Sequence, residues 1–129
     1  METRRRIGTP IIDERGAITN ILEVDIRIKS ILLITSKAGS IRANHYHKKD
    51  SHYVYLLNGS MEYTEKDMSA KNGRKRSFLL HAGDLVLAPP MMAHAMRFLE
   101  DTTFLAFTTE QRDQKSYERD TIRLELIKP

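Results

Sequence analysis

Short runs of branched and aromatic residues, interrupted by polar turns, extend along most of the chain. The runs cover residues 18–24, 26–35, 52–57, 60–64, 77–80, 85–88, 94–98 and 103–108. Such runs are typical of β-strands, and no segment shows the periodicity of a long amphipathic helix or an internal repeat. The pattern therefore predicts an all-β protein, built as an antiparallel sandwich or barrel.

Turn residues separate these runs at close and regular intervals, as Asn58-Gly59 does between two of them. Pro89-Pro90 removes two backbone donors, so the strand that starts at Leu85 is expected to end before it. Residues 117–127 follow a charged stretch and are expected to form either a last strand or a short helix.

The length and composition of the chain fit one globular domain. The 129 residues, with 40% hydrophobic and 29% charged positions, are expected to form a single domain, 1–129, with one core. No apolar run approaches the roughly 18 residues of a membrane span, and no signal core follows the N-terminus. We therefore expect a cytoplasmic protein with no membrane partner.

Charge and cysteine content narrow the choice of ligands. The net charge is +4, with basic clusters at Arg4–Arg6 and at residues 71–76 that read as solvated surface or as attraction for an anionic ligand. No nucleic-acid motif accompanies this charge, so no nucleic-acid partner is expected. The chain has no cysteine, and any metal must therefore be bound by histidine or carboxylate.

Four of the five histidines are placed where they could meet inside a barrel. His45 and His47 are two positions apart, so in a strand they share one face while Tyr46 lies on the other. After a turn at residues 48–51, His52 is expected to face inward on the neighbouring strand, and His94 on a third. Converging neutral imidazoles favour a divalent transition metal, with Mn, Fe, Ni, Cu and Zn all open.

The spacing of these histidines resembles the two sequence motifs of the cupin superfamily. Gly39-x5-His45-x-His47-x4-His52-x6-Gly59, over about residues 39–59, resembles the first motif, with His52 where glutamate is usual. Gly83-x5-Pro89-x-Met91-x2-His94, over about residues 83–98, resembles the second, with Met91 where glycine is usual and Phe98 where asparagine is usual.

The resemblance implies a single-domain, cupin-type jelly-roll β-barrel with a metal inside it. By position in the motifs, the implied metal ligands are His45, His47, His52 and His94. Four neutral donors in place of three with a glutamate lower the negative charge of such a site.

Three segments also resemble the nucleotide-sugar 3,4-ketoisomerases and, more distantly, the dTDP-sugar 3,5-epimerases. They are residues 11–18, 41–49 and 116–120. In that family the histidine pair is catalytic without a metal, an arginine just before it positions the ligand, and the barrel dimerises. The resemblance therefore implies a homodimer with a small-molecule substrate, such as a dTDP-sugar, and His45 and His47 as catalytic residues.

Moving a sugar carbonyl requires a proton alpha to it to be removed and returned, for which imidazole is suited. The candidate substrate-binding residues are Arg42 and Lys48, for an enediolate or pyrophosphate, and Tyr53 and Tyr55. In the ketoisomerases the positions of His52 and His94 are not both histidine, so the complete set here argues for a metal that polarises the substrate.

The combined expectation is a metal-binding isomerase or epimerase that acts on a nucleotide sugar or related carbohydrate. Two alternatives remain: a metal-dependent oxygenase, and a non-catalytic module that binds a sugar or a metal. The other conspicuous residues are expected to have structural roles. Met91, Met92, Met96 and Phe98 would line the barrel, Arg97 and His81 would lie on the surface, and Asp50 is a less favoured metal ligand.

Overall fold

The computed structural model describes residues 2–7 and 10–129. Its elements in chain order are β1 (Arg4–Arg6), β2 (Ile11–Asp13), β3 (Gly16–Ile18), β4 (Ser30–Ser36), β5 (Ile41–His47), β6 (His52–Asn58), β7 (Ser60–Asp67), β8 (Arg76–His81), β9 (Asp84–Ala88), β10 (Met92–Phe98), β11 (Thr102–Thr108), α1 (Gln114–Asp120) and β12 (Thr121–Arg123). The prediction of an all-β protein is confirmed, and no helix in the described ranges is long and apolar enough to cross a membrane.

Two antiparallel sheets make up the jelly roll. Their strand orders within the described residues are β1-β9-β6-β11-β4 and β12-β5-β10-β7-β8, while β2 and β3 form a separate hairpin. The buried core between the sheets consists of Val54, Leu56, Met61, Tyr63, Leu80, Val86, Met96, Phe98 and Phe104. Along both β6 and β10 a buried histidine is followed at every second position by these apolar residues, so the core supports the histidines from one end.

Strand pairing corrects one detail of the sequence interpretation. The chain reverses after His47, but β6 does not lie beside β5. Instead β5 pairs with β10 and β12, whereas β6 pairs with β9 and β11 in the opposite sheet. His52 therefore reaches the histidine cluster from across the barrel, so that the cluster joins the two sheets.

The strand predicted over residues 18–24 is wrong, and the strand predicted over residues 26–35 exists but starts four residues later than expected. β3 ends at Ile18, and the next strand begins only at Ser30. β4 pairs residue for residue with β11, from Ser36 opposite Thr102 to Ser30 opposite Thr108, so the ladder ends where β11 ends. A branched, apolar segment without a partner strand has no ladder to join, whatever its intrinsic propensity.

The two ends of the chain are more ordered than their charge suggests. Arg4–Arg6 form β1 and pair with β9, where a solvated tail was one expectation. Near the other end both alternatives occur in succession, because α1 is followed directly by β12. Asp113 caps the helix by accepting a hydrogen bond from the backbone N–H of Ser116.

Candidate metal and substrate site

The four motif histidines lie together at one end of the barrel. Ring centroids are 4.6 Å apart for His45 and His47, 4.8 Å for His45 and His94, and 4.7 Å for His52 and His94. All four side chains are buried or nearly so. The strand alternation that predicted a shared inward face is confirmed, since Tyr46 between the first two is only half-buried.

An irregularity in β5 sets the position of His45. Ala43 and Asn44 have positive φ angles of 71° and 57°, and the ladder with β10 skips a residue there, which defines a β-bulge. The amide of Asn44 also holds the end of the chain, accepting hydrogen bonds from the backbone of Leu126 and Ile127 and donating to the Ile127 carbonyl. An asparagine tolerates the left-handed conformation that this bulge requires.

The tautomer of His47 follows from its hydrogen bonds. Its Nδ1 lies 3.2 Å from the hydroxyl of Thr121, and that hydroxyl donates its single proton to the carbonyl of Tyr117. The hydroxyl must then accept from His47, so Nδ1 carries the proton. Nε2 is left unprotonated and is buried without a hydrogen-bond partner among the described residues.

His52 and His94 are oriented in the same manner. The Nδ1 of His52 lies 3.0 Å from a carboxylate oxygen of Asp50, and the Nδ1 of His94 lies 3.2 Å from the carbonyl of Met92. Both partners accept, so Nδ1 of each ring carries a proton, and the low pKa of His94 leaves its Nε2 unprotonated. Acceptors that fix Nδ1–H in this way are the usual outer partners of metal-binding histidines.

Asp50 is an orienting residue rather than a free carboxylate. Its other oxygen accepts hydrogen bonds from the backbone N–H groups of Thr109 and Glu110. Burial would raise the pKa of Asp50, but the hydrogen bond from His52 and the adjacent imidazoles leave this pKa below its usual value. The less favoured ligand of the sequence analysis thus supports a histidine that belongs to the cluster.

The environment keeps the imidazoles neutral. Burial, reinforced by neighbouring histidines, lowers the pKa of His45 to about 3 and that of His47 to about 4. Burial likewise holds the pKa of His94 well below its usual value. Neutral imidazoles with such low pKa values are ready to bind a metal without first releasing a proton, but they are weak bases near neutral pH.

The donor set fits a divalent transition metal. The ligand nitrogens of His45, His47 and His94 lie within 4.8 Å of one another, and His52 closes the cluster. A buried imidazole nitrogen without a partner, as at His47, is costly unless it binds an ion or a ligand. The residues are therefore those expected of a nitrogen-rich site for Mn, Fe, Ni, Cu or Zn.

One buried hydroxyl beside the cluster offers a test of stability. The ring of Tyr63 lies parallel to that of His94 with centroids 6.2 Å apart, and its hydroxyl has no partner in the described part of the chain. We predict that Tyr63→Phe raises the free energy of unfolding by about 1 kcal/mol, because an unsatisfied buried hydroxyl is removed. Urea denaturation measures this, with Tyr55→Phe at a half-buried position as the control; a loss of stability in Tyr63→Phe would contradict it.

A pocket opens above the histidines and encloses about 570 Å³ including its mouth. Apolar side chains form one wall, among them Leu32, Ile34, Val54 and Phe104. The polar lining consists of Arg42, His45, His52, His94, Thr108, Arg112 and Tyr117. The phenol oxygen of Tyr117 lies 3.4 Å from Nδ1 of His45, which makes these two the hydrogen-bonded pair that faces the pocket.

Not every candidate substrate-binding residue reaches this pocket. Arg42 lines it, with its guanidinium held by the hydroxyl of Ser36 and the carbonyl of Thr35. Lys48 lies in a separate surface depression beside Lys49 and Arg119. Tyr53 and Tyr55 do not line the pocket, because alternation along β6 turns them away from the inward face of His52.

The residues given structural roles behave mostly as expected. Met96 and Phe98 are buried, Met91 and Met92 are half-buried, and His81 is exposed. Met91 adopts a positive φ of 69°, a conformation that glycine adopts without strain. Arg97 is half-buried, and its guanidinium donates to the carbonyl of Lys128.

Three site residues were missed by the sequence analysis. Arg112, Tyr117 and Thr121 all come from the segment that runs from the end of β11 through α1 to β12. Tyr117 lies under Arg112, whose guanidinium carbon is 4.2 Å from the ring centroid. The sequence feature that points to this segment is the resemblance of residues 116–120 to the C-terminal segment of the ketoisomerases.

Two facing antiparallel sheets with a buried histidine cluster at one end define a jelly-roll barrel of the cupin class. A family model described as "Cupin domain" matches residues 32–109, and the chain therefore belongs to the cupin family. A search of curated proteins gave no significant match.

Solved structures show the same fold over nearly the whole chain. A 3,4-ketoisomerase from Thermoanaerobacterium thermosaccharolyticum, in complex with TDP, superposes with a TM-score of 0.74 and 24% identity over 96% of this chain and 89% of its own. A TDP-fucose-3,4-ketoisomerase from Campylobacter jejuni gives 0.74 and 22% over 93% and 87%. A dTDP-4-dehydrorhamnose 3,5-epimerase from Sulfolobus tokodaii gives 0.77 and 17% over 93% and 75%. The resemblance to nucleotide-sugar cupins is confirmed at the level of fold.

Proposed function

We propose that the protein is an isomerase or epimerase that moves a proton alpha to the carbonyl of a nucleotide-linked sugar, assisted by a divalent transition metal. The observation that carries this proposal is the convergence of four buried histidines, three of them with a hydrogen-bond acceptor at Nδ1, beside an open pocket that His45, His52 and His94 line. The fold shared with ketoisomerases and epimerases supports the reaction class.

The proposed metal ligands are His45, His47, His52 and His94. A bound dication would supply Lewis acidity, which polarises a carbonyl oxygen and makes the neighbouring C–H more acidic. The ketoisomerase and epimerase relatives do not themselves indicate a metal, so metal dependence rests on the donor set of this chain.

Proton transfer is assigned to the pair that faces the pocket. The Tyr117 hydroxyl lines the cavity and is hydrogen-bonded to Nδ1 of His45, so we assign the exchange of the substrate proton to this hydroxyl, with His45 as its hydrogen-bond partner rather than as a free base. His47, the other catalytic residue expected from the resemblance, is 3% exposed and does not line this cavity. We therefore assign it to metal binding rather than to contact with the sugar.

Metal content tests the first half of the proposal. We expect purified protein to contain about one equivalent of a transition metal by mass spectrometry, retained in His81→Ala and lost in His94→Ala. His81 is exposed and lies outside the cluster, so it controls for adventitious binding by histidine. Equal metal in the two variants, or none in the wild type, would overturn the metal site.

Solvent isotope exchange tests the second half. Incubation with dTDP-4-keto-6-deoxyglucose in D₂O without oxygen should place deuterium next to the carbonyl, detected by NMR. Oxygen consumption with a redox-active metal, and no exchange, would instead identify the oxygenase alternative. Thermal stabilisation by the sugar nucleotide with neither reaction would identify a binding module.

We also propose that the protein is a homodimer. The β2-β3 hairpin pairs with no other strand in the described residues, and it exposes Ile11, Ile12 and Ile18 by 70%, 70% and 68%. An isolated hairpin with apolar exposed faces is unstable in water, so a second copy is its expected partner. Light scattering should give a dimer for the wild type and for Leu99→Glu but not for Ile12→Glu, and a monomeric wild type would overturn the proposal.

A further inference from the structure

The pocket carries positive charge that no neighbouring acid offsets. Its described lining contains no aspartate or glutamate, whereas two guanidinium groups contribute to it, from Arg42 on β5 and from Arg112 ahead of α1. A cavity of this kind attracts anions.

Three carboxylates line a small cavity together with Arg112, and each of them has other partners. Asp50 is bound to His52 and to two backbone N–H groups. Asp120 accepts from the backbone N–H groups of residues 49 and 50, and Glu110 lies 3.8 Å from the ammonium of Lys29. Arg112 makes no ion pair within the described ranges, so its charge lacks an internal counter-ion.

The contact that Arg112 does make leaves its donors available. Its guanidinium lies over the face of the Tyr117 ring, a contact that orients the group without using its N–H bonds. Arg42, in contrast, is fixed by hydrogen bonds from Nε and one terminal nitrogen to Ser36 and Thr35. The pocket thus has two positioned guanidinium groups that can donate to oxygen atoms of one ligand.

We propose that Arg112 is an anion-binding residue that, together with Arg42, holds an oxyanion of the substrate above the histidine cluster. The oxyanion is either the diphosphate of a nucleotide sugar or a carboxylate on the sugar itself, because both present paired oxygens to a guanidinium. This inference deepens the proposed function and rests on the same pocket being the substrate site.

Binding measurements on four forms of the full chain test this inference. Calorimetry would compare wild type, Arg112→Gln, Arg112→Lys and Arg119→Gln, with TDP, thymidine, D-glucuronate and D-glucose as probes. Arg119 is exposed on the same segment but does not line the pocket, so its variant is the matched control. Arg112→Lys keeps the charge and loses the planar fork, which separates general attraction from paired hydrogen bonding.

We expect Arg112→Gln to weaken binding of one anionic probe by about 10- to 100-fold, Arg119→Gln to leave it unchanged and Arg112→Lys to fall between them. Loss confined to TDP identifies the diphosphate as the anion, and loss confined to D-glucuronate identifies a carboxylate on the sugar. Equal affinity in wild type and Arg112→Gln, or no anion binding by the wild type, overturns the inference.

The isotope-exchange experiment tests the proposed reaction separately from these binding measurements. TDP binding that depends on Arg112 without any exchange would leave the anion site standing and remove the isomerase assignment.

Discussion

Lowering the pH from about 7 to about 5.5 will destabilise the metal-free protein by about 4 kcal/mol, a large part of the stability of a domain this size. In the unfolded chain His45, His47 and His94 take up protons as the pH falls through 6.5, but burial lowers their pKa values in the folded protein, to about 3 and about 4 for the first two. The unfolded state therefore binds more protons than the folded state below pH 6.5. Each such histidine removes up to about 1.4 kcal/mol per pH unit.

Urea denaturation of chelator-treated protein at several pH values measures this effect. We expect the slope of unfolding free energy against pH to average about two protons taken up on unfolding between pH 7 and 5.5 and to approach about three at the acid end. His94→Gln should reduce the slope by about one proton, whereas His81→Gln, at an exposed position, should leave it unchanged. A flat profile between pH 7 and 5.5 would contradict the burial of neutral imidazoles in the folded state.

Replacing Asp50 with asparagine will destabilise the protein by about 1–3 kcal/mol and weaken metal binding by about 10- to 100-fold. The two oxygens of Asp50 accept hydrogen bonds from the ring of His52 and from the backbone of Thr109 and Glu110. An asparagine has only one acceptor oxygen, so its NH₂ group would face a donor on one side. His52 would then lose either the hydrogen bond that its Nδ1 makes to residue 50 or the tautomer that carries the proton on Nδ1.

Asp113→Asn is the matched control for this prediction. Asp113 also accepts a backbone hydrogen bond, but it is an exposed helix cap that asparagine can replace. Chemical denaturation and competition with a chelator would measure stability and metal affinity for both variants. Comparable values for the two would show that Asp50 does not orient the cluster.

The histidine cluster could be predicted because it depends on local geometry. Alternation along a strand places His45 and His47 on one face, and the same rule applies to the inward positions that follow His52 and His94. The motif spacing then indicated that the four histidines converge on one site. Sheet membership was less predictable, because the turn after His47 fits a hairpin equally well and only the long-range pairing of β6 with β11 excludes it.

The contribution of Arg112 and Tyr117 to the pocket could not be predicted from the pattern of hydrophobic and polar residues alone. Tyr117 lies in a charged, seven-residue helix and meets His45 across 72 residues of chain, and Arg112 lies in the segment before that helix. Nothing in the alternation of β5 signals the bulge at Ala43 and Asn44, which depends on the pairing with β10. Lys48, Tyr53 and Tyr55 were predicted to bind substrate because their side chains can form hydrogen bonds. Sheet geometry decides which side chains face the cavity, and these three do not.

The hydroxyl of Thr121 makes the protonation of the His47 ring depend on a part of the chain that is synthesised after the four histidines. A chain emerging from the ribosome exposes the four histidines well before Thr121, so the proton of His47 is directed to Nδ1 only after β12 has joined its sheet. A chain released before Thr121 would keep all four imidazoles but lack the contact that chooses between the two nitrogens of His47. The tautomer of His47 therefore reports that the last strand of the barrel has docked.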